Sequence, residues 1–401
     1  MPLPNVKISL ANGAMGRIDE TGDGISGLVL NSSAAASGLA LATPAVIYNL
    51  QAAIALGITQ TALPEVYRHI KEFYDGYNYV TGSQNAELYI MLVAQTMTLA
   101  QMADTTVANS ASKLVDYANG RVKRLALARN PASGYTPVLT NGIDADVLAA
   151  LPKAQLLGNT YAERQWPLRV LIEGRGFALA NIGPLKDLRT YANNRAGVVM
   201  ASSANDGSAS VGFALGVAAG LPAHRSIARV KNGALTPIVI GYNGDTQADA
   251  MPGAIDTIHD KGYIIFRTFP NRAGYFFNDD PMAASKTDDY SQLVYGSVID
   301  KAQRVVYNVL VDEVNDDVDV LAGGKLHPAV IATIESNITR AAAVSLADNV
   351  SKNEDGSLAF TAYIDPDQNV ISTEKLQVTV RARPKGYNKT IEVSLGYSLS
   401  I

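Results

Sequence analysis

The chain has 401 residues, 47% hydrophobic and 17% charged, which is long enough for two or three domains and typical of a well-packed globular protein. Its net charge of −4 argues against broad electrostatic binding of nucleic acid, which needs a basic footprint. With no Cys, the chain is excluded from disulfides, thiolate metal sites, Fe–S clusters and Cys nucleophiles.

The N-terminus, Met1-Pro2-Leu3-Pro4-Asn5, lacks the basic and apolar regions of a signal peptide. No apolar run approaches the ~20 residues of a membrane span. We therefore expect a soluble product made in a cytoplasm, without membrane insertion. Val6, Ile8 and Leu10 alternate with Lys7 and Ser9, the pattern of a short strand. Asn12 to Gly27 holds Gly13, Gly16, Gly22, Gly24 and Gly27, a turn-rich connection. Residues 1–27 thus form an arm and linker, with Gly13 and Gly16 as hinges.

Thr43-Pro44 is expected to open a helix over Ala45 to Leu56, closed by Gly57. A second starts at Pro64, with Val66, Tyr67, Ile70 and Tyr74 on one face. Four apolar runs have the look of buried strands: Leu88 to Val93, Leu125 to Ala128, Leu168 to Ile172 and Gly197 to Met200. Helical stretches separate them, at Ala111 to Tyr117, Ala145 to Leu157 and Val211 to Ala219. Such alternation predicts an α/β domain with a largely parallel sheet, placed at residues 28–255.

Tyr263 to Phe266 and Tyr275 to Phe277 flank Pro270-Asn271-Arg272-Ala273-Gly274, a hairpin pattern. Thr287-Asp288-Asp289 is expected to start a long helix striped by Tyr290, Leu293, Val294, Val298, Ala302, Val305 and Val309. Gly323-Gly324 breaks the chain, and His327-Pro328 begins a helix carrying Ile331, Ile334 and Ile338. Three alternating strands follow, Leu358 to Ile364, Leu376 to Ala382 and Thr390 to Ile401. Residues 256–386 therefore read as an α+β unit.

The last strand is the clearest. Ile391, Val393, Leu395, Tyr397, Leu399 and Ile401 fall on one side, and polar residues or Gly396 on the other. Pro384 and Gly386 set it off, making 387–401 a second arm with hinges at those two positions. At about 3.3 Å per residue it spans roughly 40 Å. Because termini usually fray, so apolar an end implies a partner strand. That partner is either the chain's own sheet or another molecule.

Enzyme signatures are incomplete. The four histidines, His69, His224, His259 and His327, show no metal-ligand spacing and are expected at the surface or at helix ends. Ser208-Ala209-Ser210-Val211-Gly212 lacks the first Gly of a nucleophile elbow, so its serines are expected to cap the next helix. Gly323-Gly324-Lys325 lacks the rest of a phosphate loop. Gly174-Arg175-Gly176 follows a strand, but Leu179 stands where a dinucleotide fingerprint needs Gly or Ala. The pairs Asp279-Asp280, Asp288-Asp289 and Asp316-Asp317 are expected in turns and caps. Phe266, Phe269, Tyr275, Phe276 and Phe277 are read as core or interface. We expect no catalytic residue, metal or cofactor.

Val211 to Leu235, a helix ending in Gly, then a Pro turn and Arg225-x-x-x-Arg229-Val230-Lys231-x-Gly233-Ala234-Leu235, resembles the contractile tail sheath proteins of phages and related injection systems. Gly262, Arg267 and Thr268 of the hairpin, followed by Val298-Ile299-Asp300-Lys301, are similar to the same family. The resemblance implies an outer α/β domain and an inner C-terminal domain. It implies hexameric rings of this subunit stacked around an inner tail tube, with baseplate and tail terminator as further partners. The terminal arms would add strands to neighbouring subunits, and contraction would drive the tube through an envelope. Lys325, Glu335 and Arg340, on or before the helix Pro328 to Leu346, would then face the tube. The particle would be a virion tail or injection device assembled in a bacterial cytoplasm. A tail terminator or baseplate part of the same fold is the alternative, and a Rossmann-like oxidoreductase at Gly174 and Gly176 is the alternative from another class.

Overall fold

The computed structural model describes residues 22–204, 206–238, 241–243 and 246–397. Its centre is a six-stranded sheet of β1 (Ser26–Ser32), β2 (Pro44–Ile47), β3 (Leu88–Ala94), β4 (Arg124–Ala128), β5 (Arg169–Glu173) and β6 (Ala196–Val199). The order is β2-β3-β1-β4-β5-β6, parallel throughout except β2, which runs antiparallel to β3. Every residue of β1, β4, β5 and β6 is buried, as strands covered on both faces must be.

Two expectations fail here. Residues 26 and 27 belong to the central strand, not to a linker. Gly27 and the polar Ser26, Asn31 and Ser32 disguise β1 as a connection. A Cβ on Gly27 would lie 3.0 Å from Leu125 Cδ1 and 3.1 Å from Leu114 Cδ2, so this glycine makes room for packing. The single helix expected over Ala45 to Leu56 is a strand followed by a short helix, α1 (Leu50–Ala55). Asn49 accepts the Ala52 N–H at 2.9 Å, and this cap starts the helix late. Apolar Val46 and Ile47 are left to extend β2 along the edge.

The other helices of this layer are α2 (Pro64–Thr81), α3 (Leu99–Ala103), α4 (Ala111–Tyr117), α5 (Ala145–Glu163), α6 (Val211–Gly220) and α7 (Pro252–Asp260). In α6 the first nine residues, Val211 to Ala219, are all buried, because the helix is apolar all round. It crosses α2 on glycine: a Cβ on Gly216 would stand 2.0 Å from Phe73 O, and one on Gly212 2.2 Å from His69 O. Both obstacles are backbone and cannot swing aside. Overpacking of this kind costs about 1–3 kcal/mol, more than the roughly 1 kcal/mol that Ala gains over Gly in helix propensity. Gly216→Ala is therefore expected to lower the urea midpoint of unfolding. A raised midpoint would contradict the close crossing.

The hairpin of β7 (Phe266–Phe269) and β8 (Arg272–Phe277) turns at Asn271, φ 60°. Phe266 and Phe277 are buried with ring centroids 5.2 Å apart, and Ile264 bridges to Val199 of β6. One apolar core thus runs from Ile25 to Leu293, and a domain boundary at 255/256 would cut through it.

A second core joins α8 (Leu293–Leu310), α9 (Pro328–Ser345), β9 (Phe360–Ile364) and β10 (Val378–Ala382), through Ala302, Ile334, Ile338, Phe360 and Ile364. α8 begins at Leu293, later than Thr287. Asp288 instead closes a turn by accepting the Tyr290 N–H at 2.7 Å. Asp300 of α8 ties the two cores together. It accepts Arg169 Nε at 2.7 Å, Arg169 Nη2 at 2.9 Å and Arg195 Nη1 at 3.1 Å. Arg169 is 1% exposed and also donates to the carbonyls of Asn194 and Gly296. Lys301 pairs with Asp23 at 3.0 Å. The Val298-Ile299-Asp300-Lys301 segment is thus a fastening between the sheet and the C-terminal helices.

Candidate interaction sites at the chain end and the small sheet

Residues 384–389 are pinned to the body. Ser351 Oγ donates to the Pro384 carbonyl at 2.7 Å, and Pro384 bridges to Val350. The Tyr387 hydroxyl donates to the His224 carbonyl, and its ring packs 5.6 Å from that of Tyr295. Burial pushes that hydroxyl's pKa well above the usual tyrosine value. Lys389 pairs with Asp279, which is buried. The neighbouring Asp280 is fully buried, and its carboxyl is pushed up to about 7 by burial and by Asp279. These two aspartates, expected in turns and caps, are buried, and Asp279 instead receives the Lys389 ammonium.

Beyond Lys389 the contacts stop. Residues 390–397 join no strand among the described residues. Ile391, Val393 and Leu395 are 76, 78 and 95% exposed, and Tyr397 is fully exposed. The chain's own sheet is therefore not their partner. Pro384 is bonded to Ser351 and bridged to Val350, and Gly386 sits between Pro384 and Tyr387 with open space around it. Leu399 and Ile401 lie outside the described residues, as do Val6, Ile8, Leu10, Gly13 and Gly16. Where the described residues begin, Asp23 is held by Lys301 and Arg304 of α8, the helix whose Tyr295 also packs on Tyr387.

β9 and β10 form a two-stranded antiparallel sheet, with Phe360 opposite Ala382 and Ile364 opposite Val378. No third strand joins it among the described residues. A two-stranded sheet is marginal alone, and this one leans on α9 by one face while Tyr363 is exposed on the other. The Ile364 N–H donates to Glu335 Oε1 at 2.7 Å. A shallow groove runs between α9 and β9, bordered by Ala332, Glu335, Arg340, Ala343 and Phe360. Glu335 and Arg340 thus flank a strand edge. Lys325, in the turn before α9, pairs with Asp367 at 2.6 Å.

The carboxyl end of the parallel sheet, where an open α/β fold holds ligands, is filled by the protein's own groups. Buried Glu173 accepts the N–H groups of Arg129 and Ala209 at 2.6 and 3.1 Å, and Arg175 at 3.0 Å. Ser203 and Ser210 donate to Glu72 at 3.1 and 3.0 Å, tying the 203–210 loop to α2. Ser210 therefore does not cap α6 with its side chain. His69, expected at the surface or at a helix end, lies inside α2 and is 2% exposed, with Nδ1 3.6 Å from Glu72 Oε2. Gly174 donates its N–H to Val199 in the sheet, and Gly176 turns the chain at φ 74°. Only a 3₁₀ turn, Leu179–Asn181, follows this loop in the chain, not the helix that a dinucleotide fingerprint leads into. Saturating NAD or FAD is expected to leave the melting temperature unchanged. A dinucleotide at a hundredfold over its Kd would add about 2.7 kcal/mol, a plain shift that would contradict this assignment.

The family described as DUF2586, N-terminal domain, matches residues 3–281, and its C-terminal domain counterpart matches residues 289–401. The chain belongs to the DUF2586 family. The gap between the two matched regions falls just before Leu293, where one apolar core gives way to the other. No curated protein matches the sequence. Among solved structures, the contracted baseplate of the anti-feeding prophage is similar at TM-score 0.65 and 13% identity, with both chains covered completely. The contracted sheath of an extracellular injection system, PVC, is similar at 0.61 and 12%, covering 100% of this chain and 98% of that one. A sheath tail protein from Desulfitobacterium hafniense is similar at 0.50 and 10%, covering 95% and 100%. The tail-sheath fold implied by the sequence is the fold of this DUF2586 chain along its length.

Proposed function

We propose that this DUF2586 protein is the sheath subunit of a contractile tail or injection particle. Copies polymerise as stacked hexameric rings around an inner tube and contract to drive it through a target envelope. The observation that carries this reading is the C-terminal segment: an alternating apolar stretch, rooted at Lys389, whose residues 390–397 join no strand among the described residues. The small β9–β10 sheet supplies what such a segment needs. No third strand joins it among the described residues, Glu335 holds the Ile364 N–H and Ser351 bonds the Ala359 and Arg383 end, and the groove along α9 offers Phe360, Ala332 and Ala343 to an apolar side-chain row. Residues 390–401 of one copy would extend β9 of another, main-chain hydrogen bonds giving affinity and alternation giving register. The strand Val6 to Leu10 would take the β10 edge.

In this assembly the work of contraction comes from surface buried between subunits, and the role is structural, not enzymatic. Lys325 and Arg340 are the candidates for salt-sensitive contact with the tube. Baseplate and tail terminator would close the two ends, and the subunit would be made in the bacterial cytoplasm. A baseplate part of the same fold is the second reading, favoured by the likeness to the anti-feeding prophage baseplate. Negative-stain microscopy of the purified protein separates them. Ordered tubes or rings are expected of a sheath; discrete small oligomers that never stack would overturn that assignment.

A further inference from the structure

The sheet and the C-terminal helices meet around a cavity of about 330 Å³ beside the amino ends of β1 and β4. Arg121, Lys123, Lys301 and Arg304 line it against a single carboxylate, Asp23. Asp23 is shared by Lys301 and Arg304 at 3.0 and 3.3 Å, and Arg121 is paired with Glu87 at 2.7 Å. Lys123 has no acidic partner. It is 7% exposed, and its ammonium donates to the Gly120 carbonyl at 2.7 Å. A buried cation without a counter-charge is costly. A dianion of modest size would match the charge left over.

We propose that this cavity binds a small tetrahedral oxyanion, sulfate or phosphate, which fastens the C-terminal helices to the sheet. The Lys123 ammonium would contact the anion directly, with Arg121 at the rim and Arg304 behind it. The charged groups facing Lys123 are Arg121 on its own loop, Arg304 and Asp300 on α8, and Asp23 ahead of β1. In the absence of an anion, burial and the nearby Arg304 lower the Lys123 pKa to about 7. An anion would draw a proton onto Lys123, so binding weakens as pH rises past 7.

The test is calorimetric titration of the full chain with sodium sulfate at fixed ionic strength, sulfate being a dianion throughout. One saturable site per chain is expected, about thirtyfold tighter at pH 6 than at pH 8.5 through the Lys123 proton. Lys123→Met should abolish the site. Arg121→Gln, at a partly exposed position, should weaken it severalfold and serves if the first variant does not fold. No saturable binding, or affinity unchanged by both variants, would overturn the site. Acetate bound as tightly as sulfate would overturn the tetrahedral assignment.

Discussion

A chain ending at Lys389 is expected to keep the full-length melting midpoint and cooperativity while losing the ability to form rings or tubes. The deleted residues that the structure describes, 390–397, contribute no buried side chain and no strand pairing to their own subunit. A strand of the internal core would behave otherwise: β9 buries Phe360 and Ile364, at ~1.5–3 kcal/mol each. Docked in a neighbour, Ile391, Val393, Leu395 and Tyr397 would together gain roughly 6–12 kcal/mol. Ordering eight residues costs about 8–16 kcal/mol. The near cancellation means that one arm alone docks weakly, and that assembly rests on main-chain pairing repeated over many subunits. Circular dichroism with sedimentation reads both halves. Loss of the cooperative melt, or tubes built by the truncated chain, would each contradict the exchanged strand.

The second large effect is expected inside the subunit. Arg169→Met should destabilise the fold by about 3–5 kcal/mol, the usual result of removing one member of a buried ion pair. Asp300 would keep only Arg195, at 3.1 Å, and would lose the two-pronged grip of the Arg169 guanidinium. The pH dependence follows from the carboxyl. Burial raises the Asp300 pKa, but Arg169 and Arg195 outweigh it and hold the group below the usual carboxylate range. A depressed folded-state pKa contributes stability above the unfolded value of about 4, lost as pH falls through the folded one. The gap between wild type and Arg169→Met, measured by urea unfolding, should be widest near pH 7 and shrink toward pH 3. A constant gap would mean that the loss comes from packing alone.

What could be read in advance followed from apolar runs long enough to be buried. β3, β4, β5 and β6, together with α2, α6 and α9, sit close to their expected places because their apolar residues keep a consistent run or helical spacing. β1 escaped because Gly27, whose missing Cβ makes room for Leu125 and Leu114, reads together with the Ser residues as a turn. β2 escaped because Pro44 and the following alanine and branched residues suit a helix start as well as an edge strand. The anchors were illegible for a different reason. Asp279 with Lys389 and Arg169 with Asp300 are 110 and 131 residues apart, and only the fold brings them together. The C-terminal segment reads in sequence as a strand with a partner left open, and residues 390–397 join no strand among the described residues. Period-two alternation states which face is buried and says nothing about whose sheet buries it.

Cysteine crosslinking addresses that last point most directly, because the chain contains no native Cys to confuse the result. Leu395→Cys, with Val393→Cys and Ile391→Cys as register alternatives, is paired in turn with Ala362→Cys on β9 or Val380→Cys on β10. Paired strands bring Cβ atoms ≈ 4.5–5.5 Å apart, within reach of a disulfide after small adjustment. Assembled double-cysteine protein is oxidised and run on a denaturing gel. The expected result is a ladder of dimers and higher multimers that collapses to monomer on reduction, formed by one register and absent from either single variant. A disulfide closed within one chain, or no crosslink in any register on either edge, would contradict the exchange of strands between subunits.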